Sequence, residues 1–96
     1  MSIYLTAIIE AKTGAANTLR PLLETLTDAS RAEEACIQYD LHESVEQEGL
    51  FIFHEEWVDQ PGLDLHNQQP HIHAFQKAAN GLLAREVVLH KTRRVK

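Results

Sequence analysis

Six histidines are the side chains of this sequence best suited to proton transfer near neutral pH. His66, His71 and His73 fall in or near one stretch with helical spacing. His71 and His73 are two residues apart, so on a helix they point to different sides, and no Cys-His or His-Glu-x-x-His pattern accompanies them. We therefore predict no metal site. We predict instead that His66 and His71 border a pocket as neutral imidazoles and take a phenolic or enolic proton there.

Four further side chains are candidates for the wall of such a pocket. They are Tyr39, Glu55, Trp57 and Phe75. Trp57 has two interpretations, a pocket wall and an anchor of a dimer core, and the second is favoured because Trp is enriched at interfaces. Glu55 shares a face with Trp57, and an acid among aromatic side chains needs a partner, which we expect to be a histidine, an arginine or a salt bridge. Cys36 is expected to be a buried and unreactive thiol.

Hydrophobic periodicity assigns these residues to strands and helices. Alternating apolar residues predict strands, and an apolar stripe from residue 16 to residue 29 predicts a first helix that contains Pro21. A second helical region divides at Pro70 and ends at Gly81, a suitable terminator. The predicted strands are residues 3–10, 35–44, 50–57 and 84–91, and the later helical pieces are residues 62–68 and 70–80.

The order strand, helix, strand, strand, helix, strand predicts a ferredoxin-like α+β fold with an antiparallel sheet, in a single domain of residues 1–96. Ile37, Tyr39 and Leu41 should share one face of the second strand. Helices would cover one face of the sheet and leave the other face bare, with apolar side chains and Trp57 on it. This bare face predicts a homodimer packed sheet to sheet, a barrel-like form with a pocket in each subunit.

Length, charge and cysteine content restrict the class of protein. A chain of 96 residues fits one domain, and its formal net charge of −5 argues against a nucleic-acid partner. The apolar runs are too short to span a bilayer and no secretion signal is recognisable, so we expect no membrane association. The single cysteine excludes an internal disulfide and suits a reducing compartment, and we expect a cytoplasmic protein.

Three segments with a characteristic order and spacing cover most of the chain. They are residues 31–42 (RAEEACIQYDLH), residues 51–57 (FIFHEEW), and His66 followed by Pro70, His71 and Phe75. Together they resemble the antibiotic biosynthesis monooxygenase family, with Ala35 where the family usually has a glycine before the cysteine. The resemblance implies a dimeric α/β barrel. Members of the family include cofactor-independent monooxygenases of quinols and polycyclic phenols, haem-degrading enzymes and an isomerase of a phosphorylated signalling compound.

We expect a cofactor-independent monooxygenase that oxidises a small quinol or phenolic aromatic with dioxygen. Its partners would be the aromatic substrate, dioxygen and a second copy of the chain. One alternative is an isomerase of a small phosphorylated carbonyl compound, with Arg20, Lys77 and Arg85 as candidate phosphate ligands. Another is a non-catalytic dimeric module that binds a small hydrophobic ligand. Haem cleavage is disfavoured, because the first strand has no asparagine and the family's tryptophan position aligns with His66.

Overall fold

The computed structural model describes residues 1–96 and contains four strands and three helices. In chain order these are β1 (Ile3–Glu10), α1 (Ala16–Arg31), β2 (Cys36–Glu43), β3 (Leu50–Trp57), α2 (Gln60–His66), α3 (Pro70–Ala78) and β4 (Val88–Thr92). The bounds of β1 and β3 are those predicted from the alternating pattern, and the second helical region divides at Pro70 as expected. None of the three helices has the length and apolar character needed to cross a bilayer.

The four strands form one antiparallel sheet in the order β2-β3-β1-β4. β1 and β3 pair along their full lengths, from Ile3 opposite Trp57 to Glu10 opposite Leu50. β4 lies at an edge of the sheet beside β1. This strand order and the antiparallel pairing confirm the predicted ferredoxin-like α+β fold.

The hydrophobic core lies between the helices and one face of the sheet. Every second residue of β1 and β3 is buried, which is the period-two pattern of a sheet with one covered face. α1 places an apolar stripe over this face, while Pro21 lies on the exposed side of the same helix. The core side chains of these three elements include Leu5, Ala7, Ile9, Leu19, Leu23, Leu26, Phe51 and Phe53.

Trp57 belongs to the helix-covered face and is completely buried. The prediction that it lies on the bare face as a dimer-core anchor is wrong, because it continues the buried alternation of Phe51 and Phe53 along β3. The bare face instead combines partly exposed apolar side chains, such as Ile8 and Ile52, with polar ones. The homodimer stays a prediction.

A bulge in β2 overturns the predicted alternation of that strand. The pairing with β3 shifts register between Cys36 and Gln38, so Ile37 drops out of the period-two pattern. Ile37 is 53% exposed, whereas Tyr39 is buried and Leu41 is partly buried. The grouping of Ile37 with the other two is therefore wrong.

β4 begins at Val88 rather than at residue 84, the predicted start. Leu83 forms an isolated bridge with Ala11, and pairing resumes only where Val88 meets Ile8. The residues between Leu83 and Val88 form no regular strand pairing with β1. Val87, the last of them, lines the space between the sheet and the helices. This irregularity shortens the edge strand and helps to shape the cavity described below.

Candidate active site

Two short helices bring His66 and His71 together. α2 begins after Asp59, whose side chain accepts a hydrogen bond from the backbone N–H of Gly62 at 2.8 Å and so caps the helix. His66 is the last residue of α2. α3 begins with Pro70, a residue suited to the first helical position because it lacks an N–H, and His71 follows it. The two imidazole centroids lie 6.0 Å apart.

Glu33 joins the two histidines from the loop between α1 and β2. Its Oε2 atom lies 2.6 Å from Nδ1 of His66 and 2.7 Å from Nε2 of His71. An ionised carboxylate only accepts hydrogen bonds, so each of these ring nitrogens carries a proton. His66 is thereby held in the tautomer with a proton on Nδ1 and a lone pair on Nε2.

Aromatic side chains enclose the His66 ring. Its centroid lies 4.3 Å from that of Trp57 and 5.6 Å from that of Tyr39. Burial lowers the pKa of His66, and the hydrogen bond to Glu33 opposes part of this effect. His66 is therefore neutral near pH 7, which is the form that can accept a proton.

A cavity of about 170 Å³ lies beside His66, between the helices and the sheet. Among the predicted site residues, His66, Tyr39, Glu55 and Phe75 line it. Most of the other lining residues are apolar: Leu5, Ala7, Ile9, Leu26, Phe53, Ile72, Val87 and Leu89. An engineered apolar cavity of about 150 Å³ accepts benzene, so this space has room for one aromatic ring.

Two of the predicted site residues lie outside the cavity. Trp57 packs against the His66 ring and donates a hydrogen bond to Glu55. His71 contacts Glu33 and not the cavity. Both can therefore affect the cavity only through the side chains that they hold. Leu89 of β4 lines the cavity and is 59% exposed, so the β4 edge gives solvent a route toward it.

The second ring nitrogen of His66 is open to this space. Among the buried side-chain nitrogen and oxygen atoms, only the hydroxyl oxygen of Ser30 lacks a hydrogen-bond partner. Nε2 of His66 makes no hydrogen bond, so it is not sealed within the core. Because His66 lines the cavity, we infer that the Nε2 lone pair faces it.

Glu55 is the second ionisable group on the cavity wall. Its Oε1 atom accepts a hydrogen bond from Nε1 of Trp57 at 2.9 Å, so its partner is an indole and not the expected histidine, arginine or salt bridge. Burial raises the pKa of Glu55 to about 7, and the negative charge of Glu33 acts in the same direction. Near neutral pH a large fraction of Glu55 is a protonated carboxyl group that can donate a hydrogen bond.

Tyr39 and Cys36 stay protonated at physiological pH. Burial raises the pKa of the Tyr39 hydroxyl well above its ordinary value. Burial also raises the pKa of the partly buried Cys36 thiol to about 11, so a nucleophilic thiolate is disfavoured. Tyr39 can therefore act at the cavity as a neutral hydrogen-bonding group.

The candidate phosphate ligands lie away from the cavity. None of Arg20, Lys77 and Arg85 lines it. Arg20 forms an ion pair with Glu43, and Arg85 forms one with Glu10. The lining of this cavity contains no lysine or arginine for a phosphate group.

Glu33 is the site residue that sequence reasoning missed. It lies within the segment 31–42, but nothing in its local pattern distinguishes it from neighbouring acidic residues. Together with His66 and His71 it forms a group whose metal-ligating atoms all lie within 4.8 Å of one another. The prediction of no metal site considered spacing within one helix, whereas the structure adds a third donor from a distant loop.

Comparison with known proteins places these residues in a family. The family model described as antibiotic biosynthesis monooxygenase matches residues 2–78. The "Putative monooxygenase YcnE" of Bacillus subtilis is 34% identical over 82 residues, covering 85% of this chain and 86% of that protein. The "Uncharacterized protein sll1783" of Synechocystis is 35% identical over 72 residues, which are 73% of this chain and about half (49%) of that relative's length.

A solved structure agrees with these matches. PA3566 from Pseudomonas aeruginosa has a TM-score of 0.94 with this structure at 34% sequence identity, and the match covers 99% of this chain and 95% of that chain. The family match spans Glu33, His66 and His71, and it confirms the resemblance carried by the three sequence segments. This chain belongs to the antibiotic biosynthesis monooxygenase family.

Proposed function

We propose that this protein is a monooxygenase that oxidises a small quinol or phenol with dioxygen and needs no bound cofactor. One observation carries the proposal: the buried His66, whose Nε2 atom makes no hydrogen bond, lines a cavity with room for one aromatic ring. The family match and the monooxygenase description of the Bacillus subtilis relative support the reaction class. The apolar lining and the small volume support an aromatic substrate.

The reaction begins with proton transfer from substrate to protein. Nε2 of His66 takes the phenolic proton, and Glu33, which accepts a hydrogen bond from Nδ1, stabilises the imidazolium that forms. The resulting phenolate is a far better electron donor than the phenol. It transfers one electron to dioxygen, which leaves an aryloxyl radical beside superoxide.

Coupling of these two radicals forms a carbon–oxygen bond and gives a ring hydroperoxide. The O–O bond then breaks as the proton held by His66 and the hydrogen of the attacked ring carbon leave with the outer oxygen as water. The inner oxygen stays on the ring as a new carbonyl. A quinol supplies all the electrons for this change, so one oxygen atom enters the product and the other becomes water without an external reductant.

Other site residues have proposed roles around the substrate ring. The carboxyl group of Glu55 and the hydroxyl group of Tyr39 would hydrogen-bond the second oxygen of a quinol. Phe75 would pack against the ring. Trp57 and His71 are positioning residues, because Trp57 holds Glu55 and His71 holds Glu33.

Oxygen consumption with a panel of one-ring quinols and catechols tests the proposal. We expect uptake above the uncatalysed rate, and we expect His66→Asn to lower kcat by roughly 10²- to 10⁴-fold, because asparagine cannot take the phenolic proton. The matched control is His73→Asn, which changes an exposed histidine of α3 and should leave uptake unchanged.

Two results would contradict the proposal. One is uptake no faster than autoxidation for every substrate of the panel. The other is equal uptake by the wild type and by His66→Asn, because the base would then lie elsewhere.

A further inference from the structure

A second space, an open groove, borders Glu33 and His71. It has a volume of about 570 Å³, and Glu33 and His71 line it together with the acidic side chains of Glu34 and Asp59. His66 lines the cavity but not the groove, and Glu33 and His71 line the groove but not the cavity. His66 therefore lies between the two spaces: its Nδ1 atom contacts Glu33, and we inferred above that its Nε2 atom faces the cavity.

Next to the groove, three side chains carry atoms that can bind a metal ion. These atoms are Oε2 of Glu33, Nδ1 of His66 and Nε2 of His71, all within 4.8 Å of one another. Two imidazoles and one carboxylate are ligands that Zn²⁺ and its neighbours in the first transition series accept. A water molecule from the groove would fill the remaining position.

The side chains have to rearrange to admit an ion. The two contacts to Glu33 are 2.6 and 2.7 Å long, which are hydrogen-bond distances. Metal bonds of about 2.0–2.1 Å place tetrahedral ligand atoms roughly 3.3 Å apart. Oε2 of Glu33 therefore has to move about 0.6 Å away from each nitrogen, and the two nitrogens, which lie within 4.8 Å of each other, have to approach toward the same separation. The side chain of His71 is 22% exposed and that of His66 is 4% exposed, so His71 is the donor with room to move.

We propose that Glu33, His66 and His71 bind Zn²⁺ or a similar divalent transition-metal ion, and that the bound ion switches off the base at the cavity. The acidic side chains along the groove, including Glu34 and Asp59, favour the approach of a cation. Metal binding depends only on the three donors. The inhibitory effect rests on the proposed function of His66.

The switch follows from the proton count of the imidazole ring. An ion on Nδ1 of His66 displaces the proton that Glu33 holds there. A neutral imidazole keeps one proton, which must then be carried by Nε2, so the lone pair that faces the cavity is lost. The proton of His71 moves in the same way from Nε2 to Nδ1, and no net proton is released. An ion on the groove side therefore removes the proton acceptor on the cavity side.

Zinc titration of the metal-free full chain tests the binding step. Calorimetry should show one zinc ion per chain, and the ¹⁵N spectrum of histidine-labelled protein should show the His66 proton move from Nδ1 to Nε2. Glu33→Gln and His71→Asn should each weaken zinc binding by at least about tenfold, since even second-shell changes at metal sites have effects of this size. His73→Asn should bind zinc as the wild type does.

Absence of zinc binding by the wild type overturns the proposal. Binding that persists in both Glu33→Gln and His71→Asn also overturns it, because the ion would then occupy another histidine pair, such as His42 and His54 on the bare face. His71→Asn changes a partly exposed helix residue, so it gives a folded test if Glu33→Gln does not fold.

Oxygen uptake separates this inference from the proposed function. Saturating zinc should lower uptake by the wild type at least tenfold, with a much smaller effect on His71→Asn. Uptake that is insensitive to zinc, with the ion bound at Glu33, His66 and His71, overturns the switch and leaves the monooxygenase proposal intact. If no quinol supports uptake, the proposed function fails, and the titration and the ¹⁵N spectrum still decide whether the ion binds and moves the His66 proton.

Discussion

His66 can act as a base only in the tautomer that leaves Nε2 unprotonated, and Glu33 selects that tautomer. The carboxylate oxygen Oε2 accepts a hydrogen bond from Nδ1 at 2.6 Å, and in the proposed reaction it would also stabilise the imidazolium formed by proton transfer. In the serine-protease triad, an amide in place of the corresponding carboxylate preserves the geometry but favours the wrong tautomer. By the same reasoning, replacement of Glu33 is expected to lower kcat about as much as replacement of His66.

Glu33→Gln is expected to lower kcat by roughly 10²- to 10⁴-fold, because the amide can donate to Nδ1 and so favour a proton on Nε2. The hydrogen bond and the charge of Glu33 raise the pKa of His66, so the acidic limb of the pH–rate profile should move to lower pH in the variant. Steady-state oxygen uptake across pH measures both effects. Glu34→Gln, a change of an exposed neighbouring carboxylate, is the control; equal kcat values for the two variants would rule out control of the tautomer by Glu33.

Glu55 should make the stability of the fold decrease with pH. Its folded-state pKa of about 7 lies above the ordinary value of 4.5, so its protonation stabilises the folded state at low pH. This contribution is lost as the pH rises through about 7, and it amounts to roughly 3 kcal/mol at most.

Glu55→Gln stays neutral at every pH. Its free energy of unfolding, relative to that of the wild type, is therefore expected to rise by up to about 3 kcal/mol from about pH 5 to about pH 8. Urea unfolding of both proteins at the two pH values measures the difference in free energy of unfolding. Comparison of the two proteins cancels the titration of the other groups. A difference that does not change with pH would show that Glu55 is ionised in the folded protein.

Several residues of the candidate site were named from the sequence, through the strand and helix pattern and, for His66, through the family resemblance. Tyr39 and Glu55 belong to strands, and His66 and Phe75 to the helical region that must cover the sheet, so the sequence indicated a shared pocket. Glu33 was not predictable, since it is 33 positions from His66 in the chain and only tertiary structure joins them. The placement of Trp57 on the bare face was wrong, because the fully buried indole lies between the sheet and α2.

At the scale of elements, the position of His66 depends on how closely α2 approaches the start of β2. A Cβ atom added at Gly62, in the first turn of α2, would lie 2.5 Å from Cβ of Ala35. The contact leaves no room for a side chain at Gly62 while Ala35 keeps its place.

Gly62→Ala is expected to destabilise the fold by about 1–2 kcal/mol, because overpacking at Ala35 outweighs the better helix propensity of alanine. The double variant Ala35→Gly/Gly62→Ala should recover most of this loss. Urea unfolding of both single variants and the double variant gives the coupling free energy. Additive effects would mean that α2 does not depend on this contact.

The strands with regular alternation were predictable to the residue, and the irregular ones were not. β1 and β3 pair along their whole lengths, so their sequence pattern reports their structure directly. Ile37 lies at a bulge and Val88 follows a break in the ladder, and both features depend on the neighbouring strand rather than on local sequence. The size of the cavity depends on the same irregularities, since Val87 and Leu89 line it.

At the scale of the whole molecule, the bare sheet face is the surface best suited to a second copy. Ile8 and Ile52 lie side by side at its centre, on paired positions of β1 and β3, and both are only partly covered within one chain. Sheet-to-sheet packing would bury them and would leave both the cavity and the groove on the helix side.

Ile52→Lys is expected to convert a dimer into a monomer, because two-fold packing of this face would bury a lysine from each copy without a partner. We expect the association constant of the dimer to fall at least about tenfold. Sedimentation or light scattering at several protein concentrations measures it. Leu65→Lys, a change of an exposed apolar residue on α2, is the control and should leave association unchanged. A wild type that is monomeric at all concentrations would contradict the sheet-packed dimer.

Anaerobic absorption spectroscopy measures proton transfer from a bound quinol to His66 apart from the later steps with dioxygen. Without dioxygen the substrate is not consumed, so the spectrum of a bound hydroquinone reports whether it is neutral or an anion. We predict that, at each pH, the bound hydroquinone has a larger anionic fraction in the wild type than in His66→Asn, because only the wild type has an acceptor for the phenolic proton. The same anionic fraction in both proteins at every pH would contradict a proton acceptor at His66.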